Sequence, residues 1–259
     1  MKKQYGEIYL LPSFFSLSNV FFGFLSLILC FQGRYSWAAF WIIMSAIMDG
    51  LDGIIARSAG AQSEFGTQLD SLADAFSFGG APSVLLYFWG LRGAGTAGVF
   101  FSFIFLSSGV LRLARYNILQ NTQKSRKFYV GLSVPSASLF MASLVLFHPQ
   151  ALRTRSSAFL LAMAIVVVSI FMVSTIKYRN FLNFPLRQRI NLTSGLLMAI
   201  LIASLIFYTK VFLLAFFTFI VISGPATHVF NLIRNKVQKK SSAEQPHSED
   251  PVEENNRNS

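Results

Sequence analysis

Asp49 and Asp52 stand three residues apart, and Asp70 and Asp74 four apart, in the stretch MDGLDGIIARSAGAQSEFGTQLDSLAD. Either spacing puts a pair on one face of a helix. Outside the C-terminal tail the only other acidic residues are Glu7 and Glu64, and none lies between Asp74 and Glu244. The stretch is flanked by long apolar runs. An ionisable group at membrane depth costs a few kcal/mol or more, so such groups mark functional sites. Four carboxylates drawn together would repel one another unless cations held them. Oxygen-only ligation suits hard cations such as Mg²⁺ or Mn²⁺. Carboxylates supplied by two helices also suit a pair of ions ~3.5–4 Å apart. An ion-coupled transporter is the alternative chemistry for intramembrane acids.

The residues between the acids narrow the choice. Gly53 and Ala56 flank the first pair, and Gly66 precedes the second. Their lack of bulk lets a ligand or a neighbouring helix approach the backbone closely. Arg57 is placed to meet a phosphate or to brace the acids. Glu64, in the turn, reads as a solvated loop acid.

The elements that must position these residues are membrane helices. The chain has 259 residues, 53% of them hydrophobic and 13% charged, with 28 Phe and a mean hydropathy of +0.52. A soluble domain would carry about a quarter charged residues. Apolar runs of ~20 residues, each able to span a bilayer as a helix, recur along the chain. The expected fold is all-α: a polytopic membrane bundle of about eight transmembrane helices. They are placed near 11–31, 35–56, 68–91, 95–117, 130–148, 156–176, 189–208 and 211–233. The first run is read as a retained helix, since no small-residue cleavage pattern follows it. The loops alternate in charge: sixteen Lys and Arg fall on one side and five on the other. The positive-inside rule then puts both termini and the aspartate turn in the cytoplasm. The net charge of +11 reads as topology plus attraction to anionic membrane lipid, with no nucleic-acid partner expected. The single Cys30 excludes an intrachain disulfide framework. Residues 1–234 form the expected transmembrane domain. Residues 235–259, polar and acidic towards the end, form an expected disordered cytoplasmic tail.

Asp49-x-x-Asp52-Gly53-x-x-Ala56-Arg57, eight residues, then Gly66-x-x-x-Asp70-x-x-x-Asp74 resembles the signature of the CDP-alcohol phosphatidyltransferases. All eight specified residues are present across 26 positions. Members of that family are integral membrane enzymes that displace CMP from a CDP-linked lipid with an alcohol, using two divalent metals. The resemblance implies that Asp49, Asp52, Asp70 and Asp74 bind two cations, Mg²⁺ or Mn²⁺, and that Asp74 is also the catalytic base. It implies that Gly53, Arg57, Ser63 and Gly66 meet the CDP-lipid. Ser16 and Asn19, in LPSFFSLSN, stand where the family often has Thr and Asn facing the nucleotide. The match makes a transporter a remote alternative.

Three further segments bear on the acceptor alcohol. SFGGAPS at 77–83 follows the last aspartate; by itself it reads as close helix packing with Pro82 as a kink. RLARYN at 112–117 puts Arg112 and Arg115 on one helix face, able to hold a carboxylate or phosphate with bidentate geometry. FYVGLSVPSAS at 128–138 carries Gly131 and Pro135 as breakers at the mouth of a span. Together with LDSLADAF they resemble the integral-membrane phosphatidylserine synthase branch of the family. That resemblance implies CDP-diacylglycerol and L-serine as substrates, with Arg112 and Arg115 as candidate serine-binding residues. Glycerol 3-phosphate, inositol or choline are the alternative acceptors. It also implies a homodimer in the bacterial cytoplasmic membrane. His148 and His228, at the ends of apolar spans, read as interfacial side chains.

Overall fold

A computed structural model describes the backbone of residues 4–58, 64–122, 128–179 and 209–243, and side chains within 13–51, 64–118, 131–176 and 210–227. The described helices are α1 (Gln4–Phe31), α2 (Tyr35–Ser58), α3 (Glu64–Asp74), α4 (Ala81–Leu86), α5 (Thr96–Thr122), α6 (Val134–Phe147), α7 (Arg155–Val173) and α8 (Thr209–Ala243). Two π-helical segments, Ala75–Gly80 and Tyr87–Leu91, join α3 to α4 and extend α4. Residues 64–91 are thus helical throughout and form the expected third span. The expected span at 189–208 lies outside the described residues.

The helices carry their apolar bulk outward, as lipid-immersed helices do. On α1 the exposed positions are Phe14, Leu17, Phe21, Phe24, Ile28 and Phe31. The buried positions are Ser16, Asn19, Gly23, Ser26 and Cys30. Both stripes step by three and four, one helix face each. The inward stripe is small or polar because helices in lipid associate by close backbone approach and hydrogen bonds, with no apolar surface to hide from water. Among the described residues four helices are long and apolar enough to cross a membrane: Ser13–Phe31, Thr96–Ile118, Arg155–Val173 and Lys210–Thr227. The apolar parts of α2 and α6, Tyr35–Leu51 and Val134–Phe147, are shorter. The described residues form a predominantly helical integral membrane bundle.

Short turns make neighbours antiparallel. After α1, Gly33 adopts φ 72°, the left-handed conformation that closes a helix C-terminus. Its N–H donates to Cys30 O at 3.0 Å and that of Arg34 to Leu29 O at 2.9 Å. α2 then begins at once and packs along α1. The core between α2, α4, α5, α6 and α7 is apolar, with Ile42, Phe78, Leu85, Leu86, Phe105, Met141 and Ile165 buried.

Three span ends differ from expectation. Residues 130–133 do not continue α6. Phe128–Val130 pairs antiparallel with Lys177–Arg179, with Tyr129 opposite Tyr178. Gly131 follows at φ 79°, and a Cβ there would lie 2.5 Å from Met172 O. Ser133 then caps α6, its Oγ accepting from Ser136 N at 3.2 Å, with Pro135 in the first turn. Likewise α7 stops at Val173, so Ser174–Ile176 leads into the second strand. The ladder is a short exception to the all-α expectation. The last helix runs to Ala243, ten residues past the expected end of its span at 233.

Candidate metal centre

α2 and α3 bring three of the four aspartates together. One carboxylate oxygen from each of Asp49, Asp70 and Asp74 lies within 4.8 Å of the others, and all three residues are half-buried. Asp49 is the fifteenth of the 24 residues of α2. Asp70 and Asp74 stand one turn apart on α3, Asp74 being its last residue. The one-turn spacing of Asp70 and Asp74 read from the sequence therefore holds. Asp52, Gly53 and Arg57 lie on α2, but their side chains are outside the described residues, as is Ser63 altogether. Gly66 is half-buried on α3, and Glu64 is exposed at its start. The donor set is oxygen-only and its formal charge is concentrated in a few ångströms. That chemistry fits a hard divalent cation.

The helix changes character just past Asp74. A π-helix has a wider turn than an α-helix and is common beside functional sites. Side-chain hydroxyls reach its main-chain carbonyls. Ser138 on α6 donates to Phe78 O, and Ser83 to Gly79 O at 2.6 Å. Gly79 packs against α5: a Cβ there would meet Leu106 Cδ1 at 3.1 Å. The stretch 77–83 is thus a packing element, as its small residues suggested.

α5 closes the other side of the site. Asn117 Nδ2 donates to Ser71 Oγ at 2.9 Å, which ties α5 to α3 next to Asp70. Arg112 is buried, its guanidinium 5.7 Å from the Tyr116 ring centroid. Arg115 donates to Val173 O at 2.8 Å and Ser174 O at 3.2 Å. It caps the C-terminus of α7, where a cation also meets the helix dipole favourably. The two arginines therefore share a helix but have different surroundings.

A polar layer lies one turn from the carboxylates. Asn19 of α1, Ser45 of α2 and Ser77 of the π segment are all fully buried. Ser45 Oγ donates to Asn19 Oδ1 and, at 3.2 Å, to Asn19 O. Ser77 Oγ donates to Asn19 O at 3.0 Å. The sequence singled out Asn19, but the two serines escaped notice. Their signal was position alone: each sits a helical turn from an aspartate.

Comparison with known proteins agrees with this geometry. The family profile for CDP-alcohol phosphatidyltransferase matches residues 9–175. The chain is 35% identical over 178 residues to a CDP-diacylglycerol–serine O-phosphatidyltransferase of Helicobacter pylori, covering 68% of this chain and 74% of that one. It is 31% identical over 185 residues to archaetidylserine synthase of Methanothermobacter thermautotrophicus, covering 68% and 72%. A CDP-diacylglycerol–serine O-phosphatidyltransferase of Mycobacterium tuberculosis is 34% identical over 148 residues, covering 56% and 51%. The matched span contains all four aspartates and the helices that carry them, and the chain belongs to the CDP-alcohol phosphatidyltransferase family.

Proposed function

We propose that this protein transfers the phosphatidyl group of CDP-diacylglycerol to the hydroxyl of L-serine, releasing CMP and forming phosphatidylserine. The observation that carries the reading is the convergence of Asp49, Asp70 and Asp74 on the complete family signature. The relatives named as serine phosphatidyltransferases favour serine as the acceptor. Asp49, Asp52, Asp70 and Asp74 would hold two divalent cations, Mg²⁺ or Mn²⁺, which would supply positive charge against the pyrophosphate and the departing CMP.

The protein's own groups do the rest. Asp74 accepts the proton of the serine hydroxyl, which is a poor nucleophile at neutral pH. The hydroxyl oxygen bonds to the phosphorus that carries diacylglycerol, and the bond from that phosphorus to CMP breaks. Gly53, Arg57, Ser63 and Gly66 receive the CDP portion. Arg112 receives the serine carboxylate, and its burial beside Tyr116 supports that role. Arg115 acts beside it, chiefly as the cap of α7. The site and both termini face the cytoplasm, so CDP and serine arrive from water while acyl chains stay in lipid. The protein works as a homodimer in the bacterial cytoplasmic membrane, with 1–234 as the transferase domain and 235–259 as a cytoplasmic tail.

The test supplies purified protein with CDP-diacylglycerol and Mn²⁺, then serine, glycerol 3-phosphate, inositol or choline in turn, and measures CMP. Release with serine alone is expected. Release with glycerol 3-phosphate but not serine would keep the family and overturn the acceptor. Metal- or proton-coupled flux without CMP would overturn the enzyme reading. For orientation, a reporter fused after Lys240 is expected to be cytoplasmic and one near Arg153 external.

A further inference from the structure

The carboxylates come from two helices, so their separation depends on how α2 and α3 are held. Asp49 and Asp74 repel each other whenever both are ionised, and a bound cation needs them at a fixed separation. Contacts inside the bundle can set that separation.

We infer that Asn19 is a positioning residue for the metal centre, clamping the Asp49 helix and the Asp74 helix to α1 through Ser45 and Ser77. Ser45 precedes Asp49 by four residues, about one turn along the same face of α2. Ser77 follows Asp74 by three residues in the π segment. Both hydroxyls converge on one residue of a third helix: Ser45 on Asn19 Oδ1 and O, Ser77 on Asn19 O. All three residues are fully buried, away from competing water.

Two independent features fit a clamp. Gly23, one turn beyond Asn19 on α1, leaves room for the π segment to come close. A Cβ at Gly23 would lie 2.6 Å from Ser77 Oγ and 3.0 Å from Ser77 Cα. Backbone contact of this kind is what lets the short Ser77 side chain reach a main-chain carbonyl. Asn19 also keeps its Nδ2 buried with no hydrogen-bond partner among the described residues. A buried amide left half-satisfied is costly, so an apolar residue would serve packing better. The Oδ1 contact to Ser45 is what such a residue could not supply. This role differs from a nucleotide contact, which the position of Asn19 in the family pattern would suggest.

The inference rests on the proposed metal site, and the experiment separates the two. Binding of Mn²⁺ is measured by electron paramagnetic resonance of the free ion, on purified full-length protein without substrates. The unsubstituted protein is expected to bind Mn²⁺ and Asp70→Asn to lose it; binding that does not depend on Asp70 would overturn the metal site itself. Given that dependence, Asn19→Ala, Ser45→Ala and Ser77→Ala are each expected to weaken Mn²⁺ binding by about three- to tenfold, the size of one lost internal hydrogen bond. Asn19→Ala with Ser45→Ala is expected to cost less than the sum of the two single changes, because both remove the Ser45–Oδ1 contact while only Ser45→Ala also removes the bond to Asn19 O. Ser45→Thr, which keeps the hydroxyl, restores binding. Gly23→Ala keeps every polar group yet weakens binding by wedging α1 from Ser77. The KM for CDP-diacylglycerol at saturating Mn²⁺ stays within about twofold in Ser45→Ala, Ser77→Ala and Gly23→Ala, whose described contacts are between α1 and its neighbours. Unchanged Mn²⁺ binding in Ser45→Ala and Gly23→Ala overturns the clamp. So does a raised CDP-diacylglycerol KM confined to Asn19→Ala, which would make Asn19 a nucleotide ligand. If Ser45→Ala does not fold, Ser77→Ala and Gly23→Ala decide the matter by the same readout.

Discussion

The two ends of the bundle are closed by different chemistry. Where α2 gives way to α3, side chains reach across between helices: Asn117 to Ser71, Ser45 to Asn19, and Arg115 to the carbonyls that end α7. At the opposite end, main-chain carbonyls and apolar bulk seal the structure. Trp89 Nε1 donates to His148 O and Gln150 O, both at 3.0 Å, and Leu152 N returns a bond to Trp89 O at 2.8 Å. Phe31 packs against Phe88, while Arg34 and Arg92 lie over Trp37 and Phe88 rings of their own segments. One end holds charge that must remain able to meet water and ligand. The other holds a loop shut and carries no acidic residue between Asp74 and the tail. A substitution at the first end should therefore act on chemistry, and one at the second on stability.

The largest effect expected is at the carboxylates. Asp74→Asn keeps the shape of the side chain but can neither accept the serine proton nor offer full charge to a cation. A positioned general base contributes ~10²–10⁴ in rate, and a lost ligand adds to that. CMP release by Asp74→Asn or Asp70→Asn should fall by at least about a thousandfold. Membrane insertion and thermal stability should stay near those of the parent protein. Full activity in either variant would break the comparison at its strongest point.

The sealed end should respond in the opposite way. Trp89→Ala removes a nearly buried ring and two hydrogen bonds that hold the α6–α7 loop. Truncating a buried Trp costs about 3–5 kcal/mol. The expected readout is a lowered midpoint of thermal unfolding in detergent, with KM values for serine and CDP-diacylglycerol unchanged in the fraction that remains folded. Trp89→Phe keeps an aromatic ring but loses the donor and part of the ring's bulk, so it should give a smaller loss than Trp89→Ala. A selective rise in serine KM would show that the two ends are coupled after all.

This division of labour was only half legible in the sequence. The aspartates were plain because a charge inside an apolar run has few explanations, and their helical spacing carried over directly into the Asp49–Asp70–Asp74 cluster. The outward apolar stripe of α1 was implicit in its three-and-four spacing. The π segment after Asp74 was not legible, because the groups packed on it come from distant parts of the chain, among them Ser138 of α6 on Phe78 O. Nor was the Phe128–Val130 ladder: three residues cannot declare a strand, and their partner lies beyond two whole helices. Hydropathy therefore ran the fifth span back to 130, although Gly131 at positive φ and the Ser133 cap begin α6 at Val134. Arg112 and Arg115 looked equivalent for a related reason. Spacing gives the shared face, and only the end of α7 shows that one of them already has two carbonyls to serve.

That inequality gives the smallest and most discriminating test. Serine carries a carboxylate beside an ammonium, and a guanidinium meets a carboxylate with a planar fork that an ammonium lacks. Arg112→Lys keeps the charge and loses the fork. A hydrogen bond to a charged group is worth ~1.5–3 kcal/mol, so the serine KM should rise about tenfold or more. The KM for CDP-diacylglycerol should hardly move. Arg115→Lys should instead loosen the end of α7, where the guanidinium donates from two different nitrogens to Val173 O and Ser174 O. A lysine can reach one of these carbonyls but not span both in the same plane. Its expected effect is a lowered unfolding midpoint with a serine KM raised less than threefold, roughly the loss of one neutral hydrogen bond. The reverse pattern, with Arg115→Lys raising the serine KM and Arg112→Lys lowering stability alone, would exchange the two roles. Equal effects of Arg112→Lys on both substrates would move that residue from the acceptor to a phosphate.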